Sequence, residues 1–293
     1  MLENSLAVVN SKGGVGKTSI VANVAVAAAR AGWRVLAVDL DAQGNLSRDL
    51  GYHAGSDEGR ALLQAVVAGQ PLEPLRAVRE RVDVVAGGRH TKRLADLLMV
   101  QALGQGGDYS LEETFASTAS AYDLMLLDCP PVFGPMVRDA LRLAHFVVIP
   151  TKVDDGSIDG LEGLADEISD VIHTANSQLR VVGVVLFDVG AGDTRLRSET
   201  RAELDEMLEG IAPVLQATIR HSRRGARDMR RLGQVAAEYE RAASDAQPWF
   251  LDRSAPSFSS AAAGLAGDYE QLTAEILQHL GNHRTGGARG ATA

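Results

Sequence analysis

Short apolar runs recur along the chain, and most of them end at a turn residue or an acidic residue. They occupy residues 6–9, 35–38, 82–85, 124–127, 146–149 and 181–187. Most are continuous and rich in aliphatic and β-branched side chains, which is typical of strands buried on both faces of a parallel sheet. The pattern therefore predicts a largely parallel sheet.

Helical spacing of the apolar residues appears between these runs. The predicted helices occupy 17–31, 57–68, 135–144, 157–175 and 195–208, with a last one near 267–280. Strands that alternate with helices predict an α/β fold, a doubly wound and mostly parallel sheet flanked by helices. Residues 104–108 are predicted to form a loop and 244–260 an irregular segment. We expect one domain over residues 1–280 and a disordered tail at 281–293, where no periodicity is visible.

The composition is ordinary for a globular protein, with 45% hydrophobic and 23% charged residues. Cys129 is the only cysteine, so a disulfide framework and a zinc site built from several thiolates are excluded. We expect Cys129 to be a small buried residue. No basic leader precedes the first strand and no run of about 18 apolar residues is present, so we expect a cytoplasmic protein.

The strongest chemical signal lies between the first strand and the first helix, at residues 11–18. Glycines at this spacing let the backbone curl so that its N–H groups point at phosphate oxygens, and the helix that begins near Lys17 adds the positive end of its dipole. Lys17 is placed to bridge the β- and γ-phosphates, and the Thr18 hydroxyl to bind Mg²⁺. The segment predicts a site for ATP or ADP and Mg²⁺. Its nucleotide-binding residues are Gly13, Gly14, Val15, Gly16, Lys17, Thr18 and Ser19.

Acidic residues follow two of the predicted strands. Asp39 and Asp41 come directly after the second apolar run, and Asp128 follows the run at 124–127. Ligands of open α/β sheets bind at the carboxyl ends of the strands, so we expect these carboxylates to lie near the phosphate loop. An apolar strand that ends in Asp is typical of a Walker B motif, in which Asp128 would accept a hydrogen bond from Mg²⁺-bound water.

Lys12 and the residues that follow it to Thr18 resemble the deviant Walker A motif of the ParA/MinD superfamily of P-loop NTPases. Residues 39–47 are similar to switch I of ParA/Soj-type partition ATPases, with Ala42 where proline is usual, and residues 128–131 resemble switch II. The resemblance implies that Lys12 reaches the nucleotide of a second subunit in an ATP-bound dimer. It also implies that Asp41 positions the attacking water and that Asp39 supports the metal shell.

These comparisons define the predicted site. The predicted catalytic residues are Lys12, Lys17 and Asp41, and the predicted metal residues are Thr18, Asp39 and Asp128. The resemblance also makes Phe187 and Asp188 candidates for contact with the base.

Arginines are concentrated near residue 225, although the net charge of the chain is −9. In a helix several of them would share one face, and such a face favours an anionic partner such as the DNA backbone. Related ParA segments carry an Ile-Pro-Arg run before DNA-contacting arginines, and here Arg220 stands where that family often has proline. The alternative is a solvated helix face paired with acidic residues such as Glu238 and Glu240. The predicted DNA contacts are Arg220, Arg223, Arg224 and Arg227.

The resemblance implies a DNA-partition ATPase that is associated with the nucleoid. Its ATP-bound sandwich dimer would hold non-specific DNA and hydrolyse ATP slowly until a ParB-like centromere-binding partner stimulates it. We expect no N-terminal helix-turn-helix domain. The alternatives are a MinD-like membrane-positioning ATPase, a biosynthetic ligase and a scaffold that only binds nucleotide. The last predicted helix carries Glu270 and Glu275 and no lysine, which does not favour membrane binding. The sequence does not identify the cargo.

Overall fold

The computed structural model describes residues 2–190, 192–246, 258 and 262–290. Within them, one eight-stranded sheet has the order β3-β4-β2-β5-β1-β6-β7-β8. Neighbouring strands are parallel, except that β3 runs antiparallel to β4. The strands are β1 (Ser5–Val8), β2 (Val35–Asp39), β3 (Leu75–Arg79), β4 (Val82–Val85), β5 (Leu124–Asp128), β6 (Phe146–Thr151), β7 (Arg180–Val189) and β8 (Val214–Arg220).

Helices cover both faces of the sheet, because each face carries its own layer of buried aliphatic side chains. Side chains from α1, α2, α9, α10 and α11 pack into one layer, and side chains from α3 to α8 pack into the other. The helices are α1 (Lys17–Arg30), α2 (Leu46–Asp49), α3 (Arg60–Ala68), α4 (Arg89–Ala102), α5 (Leu111–Ala119), α6 (Pro135–Leu143), α7 (Asp155–Thr174), α8 (Thr194–Met207), α9 (Arg223–Leu232), α10 (Ala236–Asp245) and α11 (Leu265–Gly290).

The predicted fold class is confirmed, and every predicted strand is present. The central strands β1, β2 and β5 are buried along their whole length, as continuous apolar runs require in a sheet covered on both faces. Strands β3 and β8 were not predicted. They are the two edges of the sheet, and their side chains are partly exposed, so neither has a continuous apolar run.

The C-terminal helix differs from its prediction. Helix α11 continues to Gly290, and Leu280 is the last buried residue of the part of the helix whose side chains are described, which ends at residue 282. The disordered tail predicted at 281–293 stays a prediction, and 291–293 lie outside the described residues. Most of the predicted irregular segment at 244–260 also lies outside them. The extent of the domain, 1–280, stays a prediction.

The carboxyl ends of β1, β2 and β5 meet at one edge of the sheet, where α1 begins after β1. Strand β1 lies between β5 and β6. The chain continues from β1 toward β2 on one side and from β5 toward β6 on the other, so the loop after β1 lies where the strand order reverses. Such a point is where ligands bind in open α/β sheets. None of the helices in the described parts of the chain combines the length and the apolar character that a membrane crossing needs.

Candidate functional site

The phosphate loop, residues 11–18, joins β1 to α1 through two glycines with left-handed backbone. Gly14 has φ 74° and Gly16 has φ 88°. A Cβ atom on Gly16 would lie 2.2 Å from the Phe187 ring, so only glycine permits this approach. Val15 is fully buried and anchors the loop. A Cβ atom on Gly13 or Gly14 would meet no atom within 4 Å, so the concave side of the loop is open to a ligand.

Lys17 lies inside the curve of the loop. Its Nζ donates to the carbonyl oxygens of Asn10, at 3.0 Å, and Lys12, at 3.1 Å. Burial lowers the pKa of this ammonium group, while the nearby Asp128 carboxyl opposes the shift. A buried ammonium group held only by carbonyl oxygens is poised to bind a phosphate oxygen.

Lys12 points away from this centre. Its backbone N–H donates to Asn10 Oδ1 at 2.7 Å, and its Nζ pairs with Asp154 Oδ1 at 2.5 Å, just before α7 begins. The side chain is 39% exposed. Within one chain, the structure therefore directs the two lysines of the loop to different places.

Switch I, residues 39–47, is held by the side chain of Asp39. This residue ends β2 and is fully buried. Its Oδ1 accepts from the Asp41 N–H at 2.9 Å, and its Oδ2 accepts from the Leu46 N–H at 3.1 Å. Burial raises the pKa of Asp39 to about 7. Asp39 thus orders the loop that carries Asp41, whose own Oδ1 accepts from the Gln43 N–H at 2.9 Å.

Asp128 is aligned with Asp39 at the ends of the adjacent strands β5 and β2. It is 1% exposed, and neither carboxylate oxygen has a hydrogen-bond partner among the described residues. Burial raises the pKa of Asp128 well above its usual range, and the Asp39 carboxyl adds to the shift. The Thr18 hydroxyl and the Lys17 ammonium, both nearby, oppose it.

These residues fit a hydrated magnesium ion. A buried carboxylate without partners requires donors, and Mg²⁺ keeps several of its waters while binding few protein oxygens. Thr18 would supply a hydroxyl and Asp128 would accept from a bound water. Asp39 already accepts two backbone N–H bonds, so its contribution would be to position switch I. No group of three or more His, Cys, Asp or Glu side chains suited to a metal occurs in the described part of the chain.

A cavity of about 680 Å³ extends from the phosphate loop to α9. Lys17 and Thr18 line one end, and Phe187 and Asp188, the predicted base contacts, also lie on its wall. Asp188 is held by Lys152 at 3.0 Å and by His221 at 2.6 Å. The sequence had not indicated Lys152 or His221, because their partner lies far from them along the chain.

The arginines of the basic cluster are divided by the fold. Arg223, Arg227 and Arg230 line the cavity, whereas Arg224 and Arg231, on the same helix, do not. No ion pair is found for Arg223 or Arg227 within the described residues. The predicted alternative partners are engaged elsewhere, since Glu238 pairs with Arg79 and Glu240 accepts from the Ala266 N–H.

Arg220 lies at the end of β8 and not on α9. Its Nε and Nη2 donate to the two carboxylate oxygens of Asp268 on α11, each at 2.7 Å, and its Nη1 donates to the Ala263 carbonyl oxygen at 3.1 Å. This two-point pair spans 48 residues of sequence, so no local pattern could reveal it. It ties the edge strand to α11.

Comparison with known proteins identifies the family of the chain. The family described as an AAA domain matches residues 3–181. The chain is 35% identical over 199 residues to the chromosome-partitioning ATPase Soj of Thermus thermophilus, covering 68% of this chain and 74% of that protein. It is 31% identical over 200 residues to the Soj protein of Treponema pallidum, covering 67% and 75%. Fold, site and relatives define a P-loop ATPase, and the chain belongs to the ParA/Soj type within the ParA/MinD family.

Solved structures show the same fold. Cobyrinic acid a,c-diamide synthase of Mycobacterium smegmatis, with a bound ATP analog and magnesium, has a TM-score of 0.65 at 26% identity, covering 78% of this chain and 92% of that one. A variant of Cyanothece McdA in complex with ATP has a TM-score of 0.71 at 16% identity, covering 92% and 96%. MinD of Pyrococcus horikoshii, complexed with Mg-ADP, has a TM-score of 0.67 at 23% identity, covering 93% and 95%.

Proposed function

We propose that this protein is a DNA-partition ATPase that binds ATP or ADP with Mg²⁺ and binds non-specific DNA as an ATP-bound homodimer. The observation that carries the proposal is the shared cavity, in which the phosphate loop and the arginine-bearing helix α9 line the same space. A protein of net charge −9 that places Arg223 and Arg227 there, without an ion pair among the described residues, has a local attraction for anions. Nucleotide is the anion that we propose for the cavity itself. The similarity to chromosome-partitioning ATPases supports DNA as a second anionic ligand outside it.

In this proposal the phosphate loop supplies binding and the switch I loop supplies positioning. Lys17 contacts the β- and γ-phosphates, and Thr18 and Asp128 hold the hydrated Mg²⁺, which neutralises charge on the phosphates when bound. Asp41 orients the attacking water, because phosphoryl transfer depends more on placement than on strong base catalysis. Asp39 keeps Asp41 in place through the two backbone hydrogen bonds that it accepts.

Lys12 provides a reason for dimerisation. In the single chain its ammonium group is paired with Asp154, so the charge of Lys12 is directed away from Lys17 in its own phosphate loop. We propose that it leaves Asp154 in the dimer and stabilises charge on the partner's transferring phosphoryl group, as an arginine finger does. Hydrolysis then depends on assembly, so the proposal predicts a slow basal rate and leaves a role for a ParB-like stimulating partner.

The proposed DNA contacts are Arg223, Arg224 and Arg227. Among the candidates with a described ion pair, Arg224 has the most exposed side chain, at 70%. Its contact with Asp228 is also long, at 4.0 Å. Arg220 is held between β8 and α11 and is assigned a structural role. Such contacts neutralise backbone phosphates and read no base sequence, which suits association with the nucleoid.

The MinD-like alternative is less well supported. It needs a free amphipathic helix, but α11 uses Leu272, Ile276 and Leu280 to pack on the sheet, and all three are buried. A biosynthetic ligase is the second alternative, since a synthase is among the similar structures. DNA-independent ATP turnover would favour it.

Two variants test the proposal. Lys17→Ala should abolish ATP binding, because it removes the ammonium group inside the loop. Asp41→Ala should bind ATP but lose turnover, by about 100-fold or more if the water is no longer placed. The measurements are nucleotide binding, ATPase rate with and without non-specific DNA, and gel filtration in ATP and in ADP.

The expected pattern separates the candidates. Wild type should form a dimer in ATP and a monomer in ADP, and Asp41→Ala should remain dimeric in ATP. A monomeric Asp41→Ala protein that still hydrolyses ATP would refute the assigned mechanism. A wild-type rate that DNA does not change, together with no DNA binding in ATP, would refute the partition function.

A further inference from the structure

The carboxylate of Asp49 joins three elements of the nucleotide cavity. Asp49 is the last residue of α2, whose first two residues belong to switch I, and its side chain is 10% exposed. Its Oδ2 accepts from the Ser19 hydroxyl of α1 at 3.1 Å, and its Oδ1 accepts from Nε of Arg230 on α9 at 2.7 Å. One nearly buried charge therefore connects α1, α2 and α9.

Both partners of Asp49 occupy functional positions. Ser19 follows Thr18 in the first turn of α1, where the phosphate loop ends. Arg230 lies in the last turn of the helix that carries the cavity arginines. Through Asp49, the first turn after the phosphate loop is two polar contacts away from α9.

Backbone contacts reinforce the junction between α2 and α9. A Cβ atom on Gly233 would clash with the Cα atom of Gly51, so the two backbone segments are in contact where these helices end. The Arg79 guanidinium donates to the Leu50 carbonyl oxygen at 3.0 Å and to the Gly233 carbonyl oxygen at 2.7 Å. A displacement of α2 must therefore be transmitted to α9, because no space separates them.

We propose that Asp49 is a positioning residue that couples the occupancy of the phosphate site to the orientation of α9, through Ser19 and Arg230. When a ligand reorders the loop and switch I, Asp49 either carries Arg230 with it or leaves a buried charge without its pair, which is strongly unfavourable. Coupling between two binding sites is reciprocal. An anion bound at α9 therefore changes the affinity for nucleotide by the same factor by which nucleotide changes the affinity for that anion. This inference goes beyond the proposed function and does not require that the anion is DNA.

Hydrogen exchange of backbone amides tests the coupling without measuring turnover. The wild type and two matched variants, Arg230→Gln and Arg231→Gln, are compared with and without a saturating non-hydrolysable ATP analogue and Mg²⁺. Both arginines lie in the last turn of α9, but only Arg230 contacts Asp49. The Arg230 side chain is 44% exposed, and Asp49→Asn, which removes the other charge of the pair, is the second variant if Arg230→Gln does not fold.

The expected result is specific to one variant. In the wild type and in Arg231→Gln, the analogue should slow amide exchange of residues 223–232 by roughly fivefold or more, the lower end of usual coupling between sites. In Arg230→Gln, and in Asp49→Asn where it folds, that response should be lost while residues 11–19 remain protected by the analogue.

Three results would overturn the inference. One is an α9 response that persists in Arg230→Gln, and another is the absence of any α9 response in the wild type. The third is loss of protection in both segments of Arg230→Gln, since Arg230 would then act by binding the nucleotide directly. None of these depends on whether the protein binds DNA, so failure here is distinct from failure of the proposed function.

Discussion

Asp128 carries two buried carboxylate oxygens without a well-formed hydrogen bond among the described residues, and the Thr18 hydroxyl and the Lys17 ammonium only partly offset their burial. A buried carboxyl group keeps its proton because the charged form is poorly solvated there, and burial therefore raises the pKa of Asp128. The unfolded chain gives up that proton near its ordinary pKa of 3.8. Above that pH the folded state binds more protons than the unfolded state, so the free energy of unfolding falls as pH rises.

Asp128→Asn should therefore stabilise the nucleotide-free protein at pH 7.5. We expect a gain of about 1–3 kcal/mol, which is the usual penalty for an unsatisfied buried group, and almost no gain well below the ordinary pKa of 3.8, at pH ~2.5, where the wild-type carboxyl is protonated in both states. Urea unfolding at the two pH values, without nucleotide and Mg²⁺, measures the difference. The same variant should bind Mg²⁺·ATP more weakly.

Asp83→Asn is the control of opposite sign. Burial acts to raise the pKa of Asp83, but hydrogen bonds from Tyr122, Ala77 and Arg76 outweigh it and lower the pKa. This carboxylate stabilises the fold when charged, so its replacement should lower the free energy of unfolding at pH 7.5, with less effect as pH falls below about 3.8. If both variants destabilised the protein equally at pH 7.5, the assignment of Asp128 as an unpaired carboxyl would be wrong.

At the scale of elements, the contact between α2 and α9 depends on two glycines with left-handed backbone, Gly51 at φ 67° and Gly233 at φ 63°. A side chain at either position is disfavoured for two reasons. The backbone is left-handed there, and the backbone of the other glycine lies too close. Gly69, after α3, has φ 60°, but a Cβ atom there would meet nothing within 4 Å. The three positions allow the two costs to be separated.

Gly69→Ala should lower the free energy of unfolding by about 1–2 kcal/mol, the cost of left-handed backbone in a residue with a Cβ atom. Gly233→Ala should cost roughly a further 1–3 kcal/mol, because the added methyl group overpacks the junction. Urea unfolding of both variants measures the difference. Equal losses would show that α2 and α9 can separate, which would also weaken the inference about Asp49.

The same scale shows how far the sequence predicts the molecule. Continuous apolar runs identify the buried parallel strands, because sheets covered on both faces need them. The spacing from Lys12 to Thr18 identifies the phosphate loop, because that chemistry is local in sequence. Edge strands β3 and β8 escape prediction because many of their side chains are at least partly exposed.

The parts of the site that the sequence does not reveal are long-range pairs. Asp49 meets Arg230 across 181 residues, and Arg220 meets Asp268 across 48. An arginine cluster in a sequence indicates an anionic partner, but only the fold shows which arginines are already neutralised. Arg220, Arg223 and Arg227 all line the cavity, but among the described residues only Arg220 of these three has an ion pair, with Asp268 on α11.

For the whole molecule, the proposed DNA binding must overcome a net charge of −9, so we expect it to depend on few arginines and strongly on salt. Arg224→Gln should weaken binding equally on unrelated DNA sequences and reduce the slope of log K against log salt by about 0.9, the value for one phosphate contact. Fluorescence anisotropy in ATP, over a range of salt, measures both quantities.

Arg195→Gln serves as the matched control. Arg195 is an exposed helical arginine on α8, paired with Glu199, and it lies outside the basic cluster. Its replacement should leave affinity and slope unchanged. An identical reduction in the two variants would mean that DNA responds to the total charge of the protein and not to α9.

The paired ends of β2 and β5, Asp39 beside Asp128, have a practical consequence for handling the protein. Chelators remove the cation that would best relieve this acidic pair, so preparations kept in EDTA at neutral pH should lose activity and precipitate sooner than preparations kept with magnesium and ADP. Storage at mildly acidic pH should partly replace the missing cation, because protons then neutralise the Asp39 and Asp128 carboxylates.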